Sequence, residues 1–250
     1  MAKTQSQIVI ETLDKLGGIQ TLGLITQETL KNPEFKFSGN TPQANIRRIV
    51  QNTKEIYKIK PGLYSLEKFR KQNENSGIIV ETEKNKGSKE VEEFTHGYYQ
   101  GLLITIGNLK NLKTYSPNQD NSRKFLDKSL LEIRTLQEIP SFSYEEFVKR
   151  SRTVDTIWFH ETKNSLMPQS YFEVEHSTDI QNSLLKYADL RDFSAKKYIV
   201  ADEKRKNEFD QKMKYLAFEK LKDQILFLSY AELVKQYEFT LESSNFMTII

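Results

Sequence analysis

The chain has 250 residues, of which 37% are hydrophobic and 28% are charged, and its formal net charge is +3. That length allows one large domain or two small ones, and the apolar fraction is sufficient to form cores. The absence of cysteine excludes disulfides and thiolate metal sites. No apolar run approaches the roughly 20 residues that span a bilayer, and the N-terminus lacks the apolar segment of a signal peptide, so we expect a cytoplasmic protein.

Charge is distributed unevenly along the chain. Residues 1–70 contain 11 Lys/Arg and 6 Asp/Glu, whereas residues 71–250 contain 26 and 28. A basic module attached to a near-neutral body is typical of a domain that reads nucleic acid and is joined to a second domain. We therefore predict a domain over residues 1–70, a linker over 71–90 and a second domain over 91–250.

The first 70 residues predict three helices followed by a hairpin. Apolar residues recur with helical spacing over residues 5–16, 22–30 and 43–52. Thr41 is a good N-cap for the third helix, and Pro42 suits its first position. Pro61 and Gly62 lie between two short alternating apolar runs, which predicts a hairpin. Three helices and a two-stranded hairpin form a winged helix.

The third predicted helix presents polar side chains that suit phosphates and base edges. A winged helix also serves protein contacts, and the sequence leaves that alternative open. Residues 40–46 (Asn-Thr-Pro-Gln-Ala-Asn-Ile) and 61–66 (Pro-Gly-Leu-Tyr-Ser-Leu) resemble the HARE-type helix-turn-helix family, which is found attached to restriction enzymes and chromatin proteins. The residues predicted to bind DNA are Gln43, Asn45, Arg47, Arg48, Gln51, Lys58 and Lys60.

Residues 71–90 are polar and charged, which predicts a flexible linker. From residue 91 onward, helical and strand-like patterns alternate. A strongly apolar helix comes first, and strands, a helix, a strand, a helix and a further strand follow it. This order predicts an α/β domain with a mixed sheet flanked by helices.

Two strand-like segments of this second domain carry carboxylates. Asp155 precedes an apolar, β-branched run, and Glu173 and Glu175 lie two positions apart in the next strand. Because side chains alternate along a strand, both glutamates should share one face, with Phe172 and Val174 on the other. If the strand of Asp155 is a neighbour, three hard oxygen ligands converge, and such ligands suit Mg²⁺. The alternative is that the glutamates form the solvated face of an edge strand.

Residues 92–238 also resemble the PD-(D/E)XK nuclease superfamily, the fold of most restriction endonucleases. In that superfamily an Asp opens one strand, and an acidic-x-Lys triplet lies on the next. Asp155 matches the Asp, although Val154 precedes it in place of Pro. The run Glu173-Val174-Glu175 matches the triplet with Glu in place of Lys. The resemblance implies that Asp155, Glu173 and Glu175 are catalytic residues that bind one or two Mg²⁺ ions.

The missing lysine raises the question of which group supplies positive charge. Lys186, two turns into the following predicted helix, could reach back to the carboxylates as a substitute. His176 adjoins the triplet, but strand alternation directs it away from Glu175. Neither assignment is fixed by the sequence.

These features predict a Mg²⁺-dependent, site-specific DNA endonuclease of the type II restriction class, with modification sensitivity left open. Its partner would be double-stranded DNA, without a membrane, and a homodimer is compatible with the sequence. The alternative from another class is a non-catalytic winged-helix DNA-binding regulator whose α/β domain mediates dimerisation. A third alternative is an RNA-processing nuclease.

Overall fold

The computed structural model of the chain describes residues 3–36 and 41–247. Contacts within the chain divide it into two units, Met1–Val91 together with Glu238–Ile250, and Glu92–Tyr237. Asn40, the first residue of the helix-turn-helix resemblance, lies outside the described residues. Within the described residues, no helix is long and apolar enough to cross a bilayer.

The first unit contains helices and a small antiparallel sheet in which the third strand lies between the first and the second. The predicted three helices and hairpin are present, and an unpredicted short strand joins the hairpin. The winged-helix assignment stays a prediction. The elements are α1 (Gln5–Lys15), β1 (Ile19–Thr21), α2 (Leu22–Leu30), α3 (Pro42–Asn52), β2 (Ile56–Lys60), β3 (Leu63–Leu66) and α4 (Arg70–Asn75).

Local signals explain where the first helix begins and ends. Thr4 and Gln7 form a capping box at the start of α1, which satisfies two backbone N–H groups that have no partner within the helix. Gly17 and Gly18 follow with φ of 89° and 81°, a backbone conformation that glycine adopts without steric cost. The apolar faces of α1, α2 and α3 then close on one another, with Ile8, Leu13, Ile25, Ile46 and Val50 fully buried among them.

A short helix replaces the beginning of the predicted flexible linker. Asn73 of α4 is buried and donates its side-chain amide to Tyr57 Oη at 2.9 Å and to Ser65 Oγ at 2.8 Å. These bonds attach α4 to the β2–β3 hairpin. The polar composition did not indicate this contact, because a buried amide is stabilised by its hydrogen-bond partners and not by apolar area.

The second unit is built around a five-stranded mixed sheet with the strand order β10-β9-β8-β7-β4. Strands β8, β9 and β10 are parallel, whereas β7 is antiparallel to both β8 and β4. The prediction of a mixed sheet flanked by helices is confirmed. Its elements include most of α5 (Lys89–Leu109) and the first turns of α10 (Tyr230–Met247), and the remaining residues of these two helices belong to the first unit. The elements between them are β4 (Lys113–Tyr115), β5 (Lys124–Phe125), β6 (Lys128–Ser129), α6 (Leu130–Ile133), α7 (Glu145–Ser151), β7 (Thr156–Glu161), β8 (Leu166–Glu175), α8 (Ile180–Asp189), β9 (Lys196–Ala201), α9 (Lys206–Lys212) and β10 (Ile225–Ser229).

Strand β8 is the middle strand, and both of its faces are covered. On one face Tyr171 belongs to a large apolar cluster that includes Leu184 of α8. On the other face the ring of Phe172 lies between those of Trp158 and Tyr198, with centroids 4.5 and 4.9 Å away. Strands buried on both faces are typical of parallel α/β sheets. The alternative of an edge strand with a solvated face is therefore wrong.

A small hairpin, β5–β6, lies on α5. Two glycines of α5, one turn apart, make room for it. A Cβ on Gly101 would lie 2.1 Å from the ring of Phe125, and one on Gly97 would lie 2.8 Å from the carbonyl of Lys124. This close approach fixes the position of the hairpin and of Arg123, which immediately precedes it.

Candidate functional site

Asp155 lies directly before β7 and faces the end of β8. Its Oδ2 accepts a hydrogen bond from the backbone N–H of Val174 at 2.7 Å and lies 3.5 Å from Nε2 of His96. Burial by itself would raise the pKa of Asp155. The neighbouring His96, the Val174 amide and the charge of Lys186 outweigh burial and lower that pKa. Asp155 is therefore held as a carboxylate beside the end of β8.

Glu173 and Glu175 lie on the same face of β8, as strand alternation predicts. Both are almost fully buried, with 2% and 4% of their surface exposed. The hydroxyl of Ser183 on α8 donates to Glu175 and lies 3.2 Å from Glu173 Oε2. Thr178 donates a second hydroxyl to Glu175. One serine that contacts both carboxylates shows that the two groups are close together.

Burial and mutual repulsion both act on these glutamates. Burial, followed by the charge of Asp155, raises the pKa of Glu173 well above its usual value. Burial likewise raises the pKa of Glu175, although the hydroxyls of Ser183 and Thr178 oppose that change. Three acidic groups in one water-poor location favour the approach of a positive charge.

Lys186 supplies a positive charge from α8. Its Nζ lies 2.9 Å from Oε2 and 3.1 Å from Oε1 of Glu173, and it also donates to the carbonyl of Thr153 at 3.0 Å. Burial opposes its charge, but the neighbouring Glu173 carboxylate outweighs burial and raises the pKa of Lys186. The contact exists because α8 connects the parallel strands β8 and β9 and lies across the face that carries the glutamates.

His96 is a site residue that the sequence analysis missed. It lies on α5, one turn before Gln100, and Gln100 donates a hydrogen bond to the carbonyl of Asp155 at 2.9 Å. Two polar residues four positions apart within a largely apolar helix were the available signal, because that spacing places both on one face. His176, which the sequence analysis considered beside the acidic triplet, has its ring centroid 6.5 Å from that of Tyr230.

The donor chemistry of the site suits a hard divalent cation. Its carboxylate oxygens are buried and repel one another, and oxygen donors are what Mg²⁺ prefers. Among the described residues, however, no group of three or more His, Cys, Asp or Glu side chains is arranged to hold a metal ion. Lys186 contacts Glu173, and two hydroxyls contact Glu175, so the partners of both glutamate carboxylates are protein groups.

Some of the predicted DNA-binding residues of α3 contact side chains of other helices, and the others are exposed on its remaining surface. Gln43 donates to Glu242 at 3.1 Å, and Arg47 lies 2.6 Å from Glu238, both within the first unit. Asn45 donates to Gln5 of α1 at 2.7 Å. Arg48 and Gln51 are exposed on the remaining surface of the helix, and Arg48 has a contact of 3.3 Å with Asn45.

The two lysines of the hairpin differ in exposure. Lys58 is exposed, but only 6% of the surface of Lys60 is accessible, and its Nζ lies 3.1 Å from Glu81. Alternation would give both lysines the same environment, but the pairing of β2 with β3 shifts register between them. Lys60 therefore lies inside the first unit, where the sequence had placed a DNA-contacting cation.

Comparison with known proteins places the chain in a family. Residues 78–247 match the family model of the type II restriction enzyme NmeDI C-terminal domain. The chain belongs to this family. The match covers more than half of the chain and includes the whole five-stranded sheet with the three carboxylates and Lys186. Type II restriction enzymes are endonucleases, and their substrate is DNA. No curated protein and no solved structure matches the chain.

Proposed function

We propose that the chain is a Mg²⁺-dependent, site-specific DNA endonuclease of the PD-(D/E)XK type. The observation that carries this proposal is the convergence of Asp155, Glu173, Glu175 and Lys186 beside the middle strand of a mixed sheet. The membership in a type II restriction enzyme family supports the same chemistry. Three acids and one lysine are the residue types that metal-assisted phosphodiester hydrolysis requires.

The three carboxylates share one task in the proposed reaction. Carboxylate oxygens of Asp155, Glu173 and Glu175 would hold the cation. When bound, Mg²⁺ would act as Lewis acid, lower the pKa of a bound water and orient the phosphate. The buried amide of Val174 holds the Asp155 carboxylate in one orientation, so that little reorganisation is needed when the substrate binds.

Lys186 would take the part of the lysine that the triplet lacks. Its ammonium group lies beside Glu173, although its Cα belongs to α8 and not to β8. A positive charge at this position balances the charge of the phosphate and orients the attacking water. Glu175 would accept a proton from that water, because it is a carboxylate within the same cluster.

The first unit would select the DNA site as a winged helix. Arg48 and Gln51 of α3 and Lys58 of the hairpin remain exposed and have the side-chain chemistry for base edges and phosphates. Lys60 is left out of this set because it is buried against Glu81. Cleavage of methylated and unmethylated plasmids side by side would show whether the proposed enzyme responds to modification.

Asp155→Ala tests the proposed function most directly. Loss of this carboxylate should abolish cleavage of plasmid DNA in Mg²⁺ while DNA binding in EDTA remains close to wild type, because phosphate contacts elsewhere hold the duplex. Asp127→Ala is the control, since Asp127 is an exposed carboxylate in the turn of the β5–β6 hairpin. Wild-type turnover by Asp155→Ala would contradict the proposal. DNA binding by the wild-type chain without any cleavage would favour a regulator instead.

A further inference from the structure

Gln100 is fully buried on α5 and joins three other residues of the second unit. Its Nε2 donates to Asp120 Oδ2 and to the backbone carbonyl of Asp155, each at 2.9 Å. Its Oε1 accepts from Nη1 of Arg123, also at 2.9 Å. Asp120 is buried too, and its Oδ1 lies 3.2 Å from Arg123. Gln100 thus connects the backbone of a proposed catalytic residue to an ion pair whose carboxylate is buried.

The chemistry of these partners fixes the orientation of the Gln100 amide. An arginine side chain can only donate hydrogen bonds, so the group that faces Arg123 must be the amide oxygen. Both amide N–H groups must then face Asp120 and the Asp155 carbonyl, which can only accept. A rotation of the amide by 180° would break all three bonds within a buried region, where an unpaired polar group costs about 1–3 kcal/mol.

The ion pair is itself held in place by packing. Arg123 immediately precedes the β5–β6 hairpin, which lies against Gly97 and Gly101 of α5. The stacking of Phe125 with Tyr98, with centroids 6.0 Å apart, adds to this attachment. Helix α5 therefore carries both Gln100 and the hairpin that follows Arg123, whose guanidinium contacts the Gln100 amide.

We infer that Gln100, oriented by Arg123 and Asp120, is a positioning residue that sets the direction of the Asp155 carboxylate at the entry to β7. The inference rests on the proposed function for its consequence in catalysis, but not for the geometry. A hydrogen bond to the carbonyl of Asp155 restrains the backbone from which the side chain reaches the Val174 amide. Loss of that restraint lets the carboxylate leave the amide, and the proposed cation site is then poorly formed.

The amide N–H of Val174 reports the position of Asp155 without any metal or DNA, because it donates to Asp155 Oδ2 at 2.7 Å. Its hydrogen exchange can be measured in EDTA by NMR. We expect Gln100→Met, which keeps the length of the side chain and removes its donors, to accelerate this exchange roughly tenfold or more, as expected for a weakened bond to a charged acceptor. Asp155→Ala gives the rate with the acceptor absent.

Asn108→Leu is the matched control, because Asn108 is another amide of α5 with a similar bonding pattern. It donates to the carbonyl of Ile133 at 2.7 Å and accepts from Thr114 Oγ1 at 2.8 Å. We expect this variant to leave the exchange of the Val174 amide unchanged relative to other strand amides. Equal exchange in the Gln100 and Asn108 variants would overturn the inference.

A second variant and a second measurement guard against misfolding and separate the two proposals. Arg123→Met removes the group that orients the amide, together with the ion-pair partner of Asp120, but leaves Gln100 in place, and it should accelerate the same exchange to a smaller degree. In cleavage assays, Gln100→Met should raise the Mg²⁺ concentration that gives half-maximal rate roughly 10- to 100-fold, as for other residues that orient metal ligands. Saturating Mg²⁺ should restore much of kcat. Unchanged exchange in both variants contradicts the positioning role, whereas cleavage by Asp155→Ala contradicts the proposed function.

Discussion

Single residues of the candidate site carry charges that burial opposes. Glu175 is 4% exposed, and burial raises its pKa. At a pH where an exposed glutamate is already ionised, ionising this buried carboxyl therefore costs folding free energy. A carboxyl with a raised pKa holds its proton more tightly in the folded state. Stability from this group is therefore greatest at low pH and is lost as pH rises from about 4.5, the ordinary value, through the raised folded value.

Glu175→Gln should consequently stabilise the protein while it impairs cleavage. In EDTA we expect its Tm to exceed that of wild type at pH 8, with the difference shrinking towards pH 5, where the wild-type group is increasingly protonated in both states. The measurement is thermal unfolding at both pH values. Such a gain of stability at a site residue is the usual sign that function requires an unfavourable charge.

Glu132→Gln is the control with the opposite sign. Hydrogen bonds from Ser129 lower the pKa of Glu132, which lies on the surface in a capping box of α6. Its ionised form is favoured by folding, so the neutral substitute should lower the Tm slightly at pH 8. A Glu175→Gln variant that behaved like Glu132→Gln would contradict the effect of burial on Glu175.

At the scale of elements, the two sides of α3 have different surroundings although the sequence makes them look alike. Arg47 and Gln43 lie one turn apart and meet Glu238 and Glu242, which also lie one turn apart on α10. Arg48 points elsewhere and has no carboxylate partner among the ion pairs of the described residues. The neighbouring arginines are thus suited to different tasks.

Arg48→Ala should weaken DNA binding more than Arg47→Ala. An arginine that reads a base edge contributes about 1–3 kcal/mol of discrimination, and one on a phosphate weakens binding to all sequences alike. Titration of each variant with cognate and non-cognate duplexes in EDTA measures both effects. A larger loss of DNA binding in Arg47→Ala than in Arg48→Ala would contradict this prediction. It would indicate that Arg47 leaves Glu238 to bind DNA, and Glu238→Gln should then tighten binding.

At the scale of the whole molecule, each unit has buried apolar residues of its own among those the structure describes. One core is formed by residues between Ile8 and Leu66, and a second core by residues between Tyr115 and Ile225. The excess of positive charge lies with the first core, because residues 1–70 hold 11 Lys/Arg and 6 Asp/Glu. The domain bounds, the winged-helix assignment and the homodimer remain predictions.

Residues 89–247 alone should therefore fold and unfold cooperatively, because they contain the whole second core and keep α5 and α10 intact. We expect this fragment to bind DNA more weakly, with a smaller dependence of affinity on salt, since the basic module is missing. It should also lose preference for a site while it retains Mg²⁺-dependent cleavage. Affinity and cleavage pattern equal to those of the full chain would rule out a site-selecting first unit.

The sequence determined those features that depend on neighbours along the chain. Strand alternation placed Glu173 and Glu175 on one face, and the Pro61-Gly62 turn predicted the hairpin of the first unit. Helical spacing and Pro42 located α3. Each of these is a local rule of backbone geometry, so it holds before any tertiary contact is made.

Only the tertiary structure decided what surrounds these residues. Strand order put β8 in the middle of the sheet, which buries its glutamates, and no local pattern specifies strand order. Lys186, His96 and Gln100 reach the site because α8 and α5 lie beside it, at separations of 13 to 59 residues from Asp155 or Glu173 along the chain. A register shift turned Lys60 inward. The local sequence pattern thus determined the face of the strand on which each site residue lies. The packing of distant elements determined its partners and its burial, and these set the charge of the side chain.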